Sequence, residues 1–366
     1  MHNDFPQVFV VGTGRCGSTL LSQMLNLHPQ ILSLSECFSF LSDLGCLLEQ
    51  CFPEGELDGA ALWRILGAQR PRLNAMLQHR VEMAEVLYRV DAAGRAYGRD
   101  GVPALLQTCL PHLCASAPEP DLAAQEWYAR LQAFCLALPA APIGAQYQRV
   151  FAWLAQQMQR RIWVERSGGG LRIIGRLLQH FPNARFVHIL RDGPDTALSM
   201  SRHRGFRMAF GVYQLIEVLG HDPWENADRS WEGDLSDEQA ALLPENFSAQ
   251  ALHAFDAPAP LCGLYWSGEI MQGLPHLLAL PPQRCLHLRY EDLLSQPAQS
   301  LAALYDFISG PQQALDAALR HTWLQQAQSL IAKPSSDWRS LAPRLREQTA
   351  HACAPGMQAL RAAQFY

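Results

Sequence analysis

The sequence predicts an α/β fold built on a five-stranded parallel sheet, and three observations lead there. Five short runs rich in β-branched or large apolar residues stand out: QVFVV (7–11), ILSLS (31–35), RIWVE (161–165), RFVHIL (185–190) and RCLHLR (284–289). They show no clean alternation, which suits strands buried on both faces. Each is followed by a helical pattern, for example LRIIGRLLQHF after the third and AQSLAALYDFI after the fifth, so strand and helix alternate. The unusual residues fall at or just past the C-terminal ends of these runs: Gly12–Thr19, Glu36, Arg166–Ser167, Arg191–Asp195 and Arg289–Asp292. That edge is where open parallel sheets bind ligands.

The elements follow in order. The first run ends in the glycine-rich turn GTGRCGST (12–19), with a helix-compatible stretch behind it, and the second run ends at Glu36. Residues 37–160 lack convincing strands and read as several amphipathic helices, broken at SAPEPD (116–121) and PAAPIG (139–144). A crossover needs far fewer residues, so this stretch is a large helical insertion. After the fourth run, Pro194 suits a helix start, Asp195 favours its first turn, and Ser199 lies about one turn further on. A second variable segment, 204–262, is rich in Trp, acidic residues and proline. With no internal repeat, residues 1–366 read as a single domain carrying these two divergent segments.

Composition narrows the function. A net charge of −5 and a pI near 6.2 argue against a general nucleic-acid binder, which would carry a basic stripe. The ten cysteines show no C-x-x-C pair, and Cys46/Cys51 and Cys109/Cys114 are too loosely arranged for a metal site, so none is expected. No apolar stretch is long enough to span a bilayer, and the N-terminus enters QVFVVG almost at once. A cytoplasmic protein with reduced thiols is the expectation. Lys333 is the single lysine; every other basic side chain of that kind is arginine.

The loop VFVVGTGRCGSTLL (8–21) fits three nucleotide sites. Gly12, Gly14 and Gly17 match the G-x-G-x-x-G dinucleotide fingerprint, with Glu36 at the ~20-residue distance of a ribose-binding acid. An NAD(P)-dependent oxidoreductase is therefore one alternative, although Arg15 and Cys16 are bulky where a pyrophosphate must come close. Gly12 and Gly17 followed by Ser18 and Thr19 nearly match a phosphate loop for a nucleoside triphosphate. Ser18, however, stands where that loop's lysine belongs, and no acid is placed to ligate a metal. The third reading is a loop whose backbone N–H groups hold one phosphate at a helix N-terminus.

In that third form Arg15-Cys16-Gly17-Ser18-Thr19 resembles the Lys/Arg-Ser-Gly-Thr-Thr loop of the sulfotransferases that use 3′-phosphoadenosine 5′-phosphosulfate (PAPS). FVHILRDGPDTALSMSRH resembles that family's 3′-phosphate site, with Arg191 at a strand end and Ser199 eight residues on. RYEDLLSQP (289–297) and IAKPSSDWRS (331–340) extend the similarity, which covers about 5–36, 160–203 and 284–345. It is closest to the branch containing tyrosylprotein sulfotransferases and related bacterial enzymes. The resemblance implies a P-loop-type three-layer fold and a PAPS donor held by Gly14, Arg15, Cys16, Gly17, Ser18, Thr19, Arg191, Ser199 and Lys333. It further implies a hydroxyl-bearing, intracellular or small-molecule acceptor bound by the divergent segments, with adenosine 3′,5′-bisphosphate as product and no metal. Glu36 is the expected general base, against a surface glutamate that caps a helix. Arg15 would stabilise charge on the leaving nucleotide. Arg166 either shares that role or is structural, since Gly168 departs from the family pattern. Lys333 with Ser335, Ser336 and Arg339 is read either as a closing loop or as an exposed connection. The run Arg202, His203, Arg204 and Arg207 is either an anion-attracting patch or a solvated helix end. Trp63, Trp127, Trp153, Trp224 and Trp231 are either cleft-lining or core residues.

Overall fold

The computed structural model describes residues 6–88, 101–230, 235–311, 315–332 and 337–366. Its centre is a parallel sheet of β1 (Gln7–Val11), β2 (Ile31–Ser35), β3 (Ile162–Arg166), β4 (Arg185–Leu190) and β5 (Cys285–Arg289). Their order across the sheet is β2-β3-β1-β4-β5. The third strand starts one residue later than the sequence predicts. Register then aligns the strand ends: Arg166 lies opposite both Ser35 and Val10, and Leu190 lies opposite Arg289. The loops after all five strands consequently open on one edge.

The pleat sends alternate residues to opposite faces, and each face has its own core. Val8 and Val10 pack with the helix Ser18–Asn26 and with Leu301, Leu304 and Trp323 from the helices after β5. Phe9 and Val11 point the other way, into a larger core shared with the insertion and with the helix Ala259–Leu278. Phe9 sits there among Trp163, Phe181 and Phe186, with ring centroids 4.9 to 5.7 Å away. The result is three layers.

The insertion begins with the helix Cys37–Leu41 and ends with Ile143–Gln157. Its helix Cys109–Cys114 packs on β2, which is buried at all five positions although it stands at a sheet edge. Covering that edge removes a site for unwanted strand pairing. Between 37 and 160, where the sequence shows no convincing strand, Glu56–Leu57 pairs antiparallel with Ala141–Pro142. Two residues per strand are too few to leave a periodic pattern. Within the insertion Trp127, Trp153 and Phe134 pack together, as do Trp63 and Tyr128, while Trp224 packs on Phe247. These rings serve packing; Trp231 lies outside the described residues.

A buried network ties the divergent segments to the frame. Asp43 accepts from the backbone N–H groups of Arg72 and Leu73 and pairs with the Arg72 guanidinium at 3.1 Å; Arg72 also pairs with Asp222 at 2.7 Å. Burial lifts the Asp43 carboxyl to about 6 even though Arg72 opposes it. This network holds the turn Asp43–Gly45, which forms one wall of the cleft described next. All ten cysteines are free. Among the described residues no helix is long and apolar enough to cross a membrane.

Candidate active site

The loop after β1 turns on two glycines at positions that would strain any side chain. Gly17 has φ 97°, and a Cβ there would stand 2.3 Å from the ring of Tyr290. Gly14 has φ 76°, and a Cβ there would meet Phe206 at 2.8 Å. Between them Arg15 is itself left-handed, at φ 56°. Such backbone costs a non-glycine residue roughly 1–2 kcal/mol and gathers at functional positions. The Cys16 side chain is fully buried, and burial raises its thiol pKa, so this residue serves the loop only through its main chain. Ser18 and Thr19 open the following helix and line the cleft.

Glu36, just past β2, is the second left-handed residue of the edge, at φ 55°. It occupies the N-cap position of Cys37–Leu41 without capping it. Other groups satisfy that helix start: Glu165 accepts from the Phe38 N–H, and the Ser167 hydroxyl accepts from the Ser39 N–H. The Glu36 carboxylate is therefore turned to the cleft rather than to its own helix. It is 5% exposed, which removes the surface-cap alternative. Arg166 Nη1 bonds one oxygen, the Gly168 N–H donates to the other at 2.8 Å, and Arg166 Nη2 bonds Ser35. Arg166, 1% exposed, thus holds Glu36. The departure of Gly168 from the family pattern also has a use: its N–H reaches Glu36, and a Cβ there would sit 3.4 Å from the carboxylate. Next to Arg166, Glu165 is buried, and burial raises its carboxyl to about 8 against the hydrogen bond from Ser167.

Arg191 and Ser199 stand beside the loop. Arg191 Nη1 donates to the Arg15 carbonyl at 3.2 Å, and the guanidinium lies 5.0 Å over the Tyr290 ring. Tyr290 therefore packs on Gly17 with one part of its ring while carrying Arg191 above it. Ser199, in the helix Gly193–Ser201, accepts from Arg15 Nε at 3.2 Å. Asp192 caps that helix through the Asp195 N–H, and its own N–H donates to Glu291. Glu291 is in turn bonded by the Tyr366 hydroxyl. Lys333, Ser335 and Ser336 lie outside the described residues; Arg339 is exposed beside Asp337.

Glu85 carries no motif in the sequence that marks it as a site residue. This insertion residue pairs with Arg15 Nη1 at 3.3 Å through one oxygen and with His203 Nε2 at 3.2 Å through the other. Burial opposes its ionisation, yet the His203 hydrogen bond and the charges of His203 and Arg15 bring the carboxyl down to about 2. The basic run divides: His203 caps the helix Arg204–Leu219 and faces the cleft, while Arg202 and Arg204 are exposed and Arg207 bonds main-chain carbonyls of Ser201 and His253. The cleft holds Arg15, Glu36, Glu85 and His203 at one end. Its remaining walls are mostly apolar, Phe38, Phe40, Leu44, Phe206 and Phe210 among them, with Arg172, Tyr213 and Tyr265 also lining it. Among the described residues no group of three or more His, Cys, Asp or Glu could hold a metal ion.

An acid held in place, cations around a phosphate-type loop and an apolar cleft suit transfer of an anionic group to an apolar acceptor. No curated protein matches the chain in sequence. Among solved structures, the sulfotransferase domain from the curacin biosynthetic pathway is 15% identical, covering 99% of this chain and 98% of its own, with a TM-score of 0.48. The sulfotransferase domain from the Synechococcus PCC 7002 olefin synthase is 17% identical, covering 95% and 93%, with a TM-score of 0.40. Sulfotransferase STF9 from Mycobacterium avium is 14% identical, covering 99% and 77%, with a TM-score of 0.43. The profile of the Sulfotransferase family matches residues 6–249 and 245–314, and by that match over most of its length the chain belongs to the sulfotransferase family.

Proposed function

We propose that the chain moves the sulfonate of PAPS to the hydroxyl of a small-molecule acceptor, releasing adenosine 3′,5′-bisphosphate, and that it does so in the cytoplasm. One observation carries this reading. Arg15 joins the two halves of the donor site, bonding Ser199 through its side chain and Arg191 through its carbonyl, and lines the same cleft as Glu36.

Each residue then has a task. Backbone N–H groups of Gly14 to Thr19 hold the 5′-phosphate at the start of the helix Ser18–Asn26. Arg191 and Ser199 receive the 3′-phosphate, a planar permanent cation and a neutral donor. The acceptor oxygen attacks sulfur in line as the bond from sulfur to the bridging phosphate oxygen breaks. Glu36 takes the hydroxyl proton; each of its oxygens keeps a lone pair beyond those used by Arg166 and Gly168. Arg15 stabilises the charge gathering on the departing phosphate. Arg166 acts as a positioning residue, fixing Glu36. The dinucleotide alternative gains no support, since family membership points elsewhere. Incubation with PAPS and a panel of alcohols and phenols tests the reading. Sulfated product and bisphosphate should appear together with the native chain and be absent with Glu36→Gln. Bisphosphate formed at equal rates by both chains would refute it.

A further inference from the structure

The charged groups of the cleft are unequally matched. At the donor end the two cations that line the cleft, Arg15 and His203, both pair with Glu85. At the other end Arg172 forms no ion pair among the described residues, although it lines the same cleft. Its guanidinium lies over the Tyr213 ring at 5.3 Å and donates to the Tyr213 hydroxyl. Both tips sit above Gly45, where a Cβ would be 3.8 Å from Arg172 Nη1 and 3.9 Å from the Tyr213 oxygen. A guanidinium has five N–H donors; Arg172 also bonds Tyr265, and the rest of its fork is open to a ligand.

The acid that acts on it, Glu269, forms no ion pair with it among the described residues. Glu269 is 5% exposed, has one buried oxygen without a hydrogen-bond partner, and is raised by burial to about 7 against the pull of Arg172. Beyond Arg172 the cleft meets a second, polar groove with Gln179, Gln272 and His276. Phe38, Ser39 and Phe40 of the helix Cys37–Leu41, and Leu44 and Gly45 of the turn after it, line the same cleft. The cleft therefore combines apolar walls, the Glu36 carboxylate and a cation that forms no ion pair among the described residues.

We infer that the acceptor is an elongated apolar alcohol or phenol whose far end carries an oxyanion, a carboxylate or a phosphate, held by Arg172 at the cleft mouth. Apolar walls bind the body of such a molecule, and Arg172 with the Tyr213 hydroxyl sets its direction, so that the hydroxyl end reaches Glu36. An acceptor without the oxyanion leaves Arg172 unpaired and is bound less tightly.

This inference rests on the sulfotransferase reading of the cleft, but its test has a separate readout. The full chain, saturated with adenosine 3′,5′-bisphosphate, is titrated calorimetrically with three matched probes: an ω-hydroxyalkanoate, the corresponding ω-hydroxyalkyl phosphate and the corresponding primary amide. One of the two anions should bind about tenfold more tightly than the amide, as a charge-assisted contact does, and the tighter anion names the oxyanion. Arg172→Gln should bring all three to the same affinity, and Arg172→Lys should recover part of the gap. No preference in the native chain, or a preference that survives Arg172→Gln, overturns the inference. Failure of the bisphosphate to bind, or of sulfonate to move, would count instead against the proposed reaction.

Discussion

The sheet frame and the helical insertion both line the cleft, and they reach it by different means. Arg15, Glu36, Arg166 and Arg191 stand at strand ends, so parallel order and register deliver them to one edge whatever surrounds them. Glu85 arrives only because the insertion folds back over the loop, and it touches the reaction through Arg15 and His203. In the proposed reaction the difference would separate tasks: the frame would supply groups for proton and phosphate, while the insertion and the variable segment would shape the space around them.

The largest effects should come from the frame. Glu36→Gln should cut turnover by roughly 10²- to 10⁴-fold, the range of a lost general base. It should also cost about 3 kcal/mol of stability, because Arg166 is left buried without its counter-charge. Glu36→Gln combined with Arg166→Met should regain that stability without regaining turnover. Parallel recovery of both in denaturation and rate measurements would demote Glu36 to a structural acid.

Arg191→Ala comes next, with a loss of about 10- to 100-fold in affinity for adenosine 3′,5′-bisphosphate, the scale of one or two charge-assisted hydrogen bonds. The same substitution should leave the affinity for AMP little changed, which a competition assay can read.

A pH effect on stability sharpens the comparison within a single strand. Glu165 is held near 8 in the fold against an ordinary 4.5, so between those values the native chain carries the extra proton. Stability should fall as pH rises through that window and level off above about 8. Glu165→Gln should remove this slope in urea melts taken at several pH values; an unchanged slope would place the proton elsewhere.

The smallest effect should come from the insertion. Glu85→Gln frees Arg15, whose side chain is 31% exposed, and should tighten bisphosphate binding by no more than a few-fold. Weaker binding on that substitution would mean that Glu85 prepares Arg15 for the donor rather than competing with it.

What the sequence revealed follows the same division. The loop at 12–19, Glu36, and Arg191 with Ser199 are legible because each lies within a few residues of a strand whose composition announces it. Even there, the sequence leaves the role of Arg166 open between leaving group and structure, since a salt bridge across two strands leaves no local pattern. Glu85 has no neighbouring signal at all. Arg172, Tyr213 and Tyr265 come from three separate segments that only tertiary packing unites. The tryptophans were ambiguous for a related reason: composition cannot tell a ring packed inside an insertion from one lining a cleft.

The most direct test is a calorimetric comparison of adenosine 3′,5′-bisphosphate, AMP and NADP on the native chain and on Arg191→Ala. The bisphosphate should bind the native chain well above AMP, and the gap should close when Arg191 is removed. Equal binding of bisphosphate and AMP, or preferential binding of NADP, would contradict the donor site and the reaction built on it.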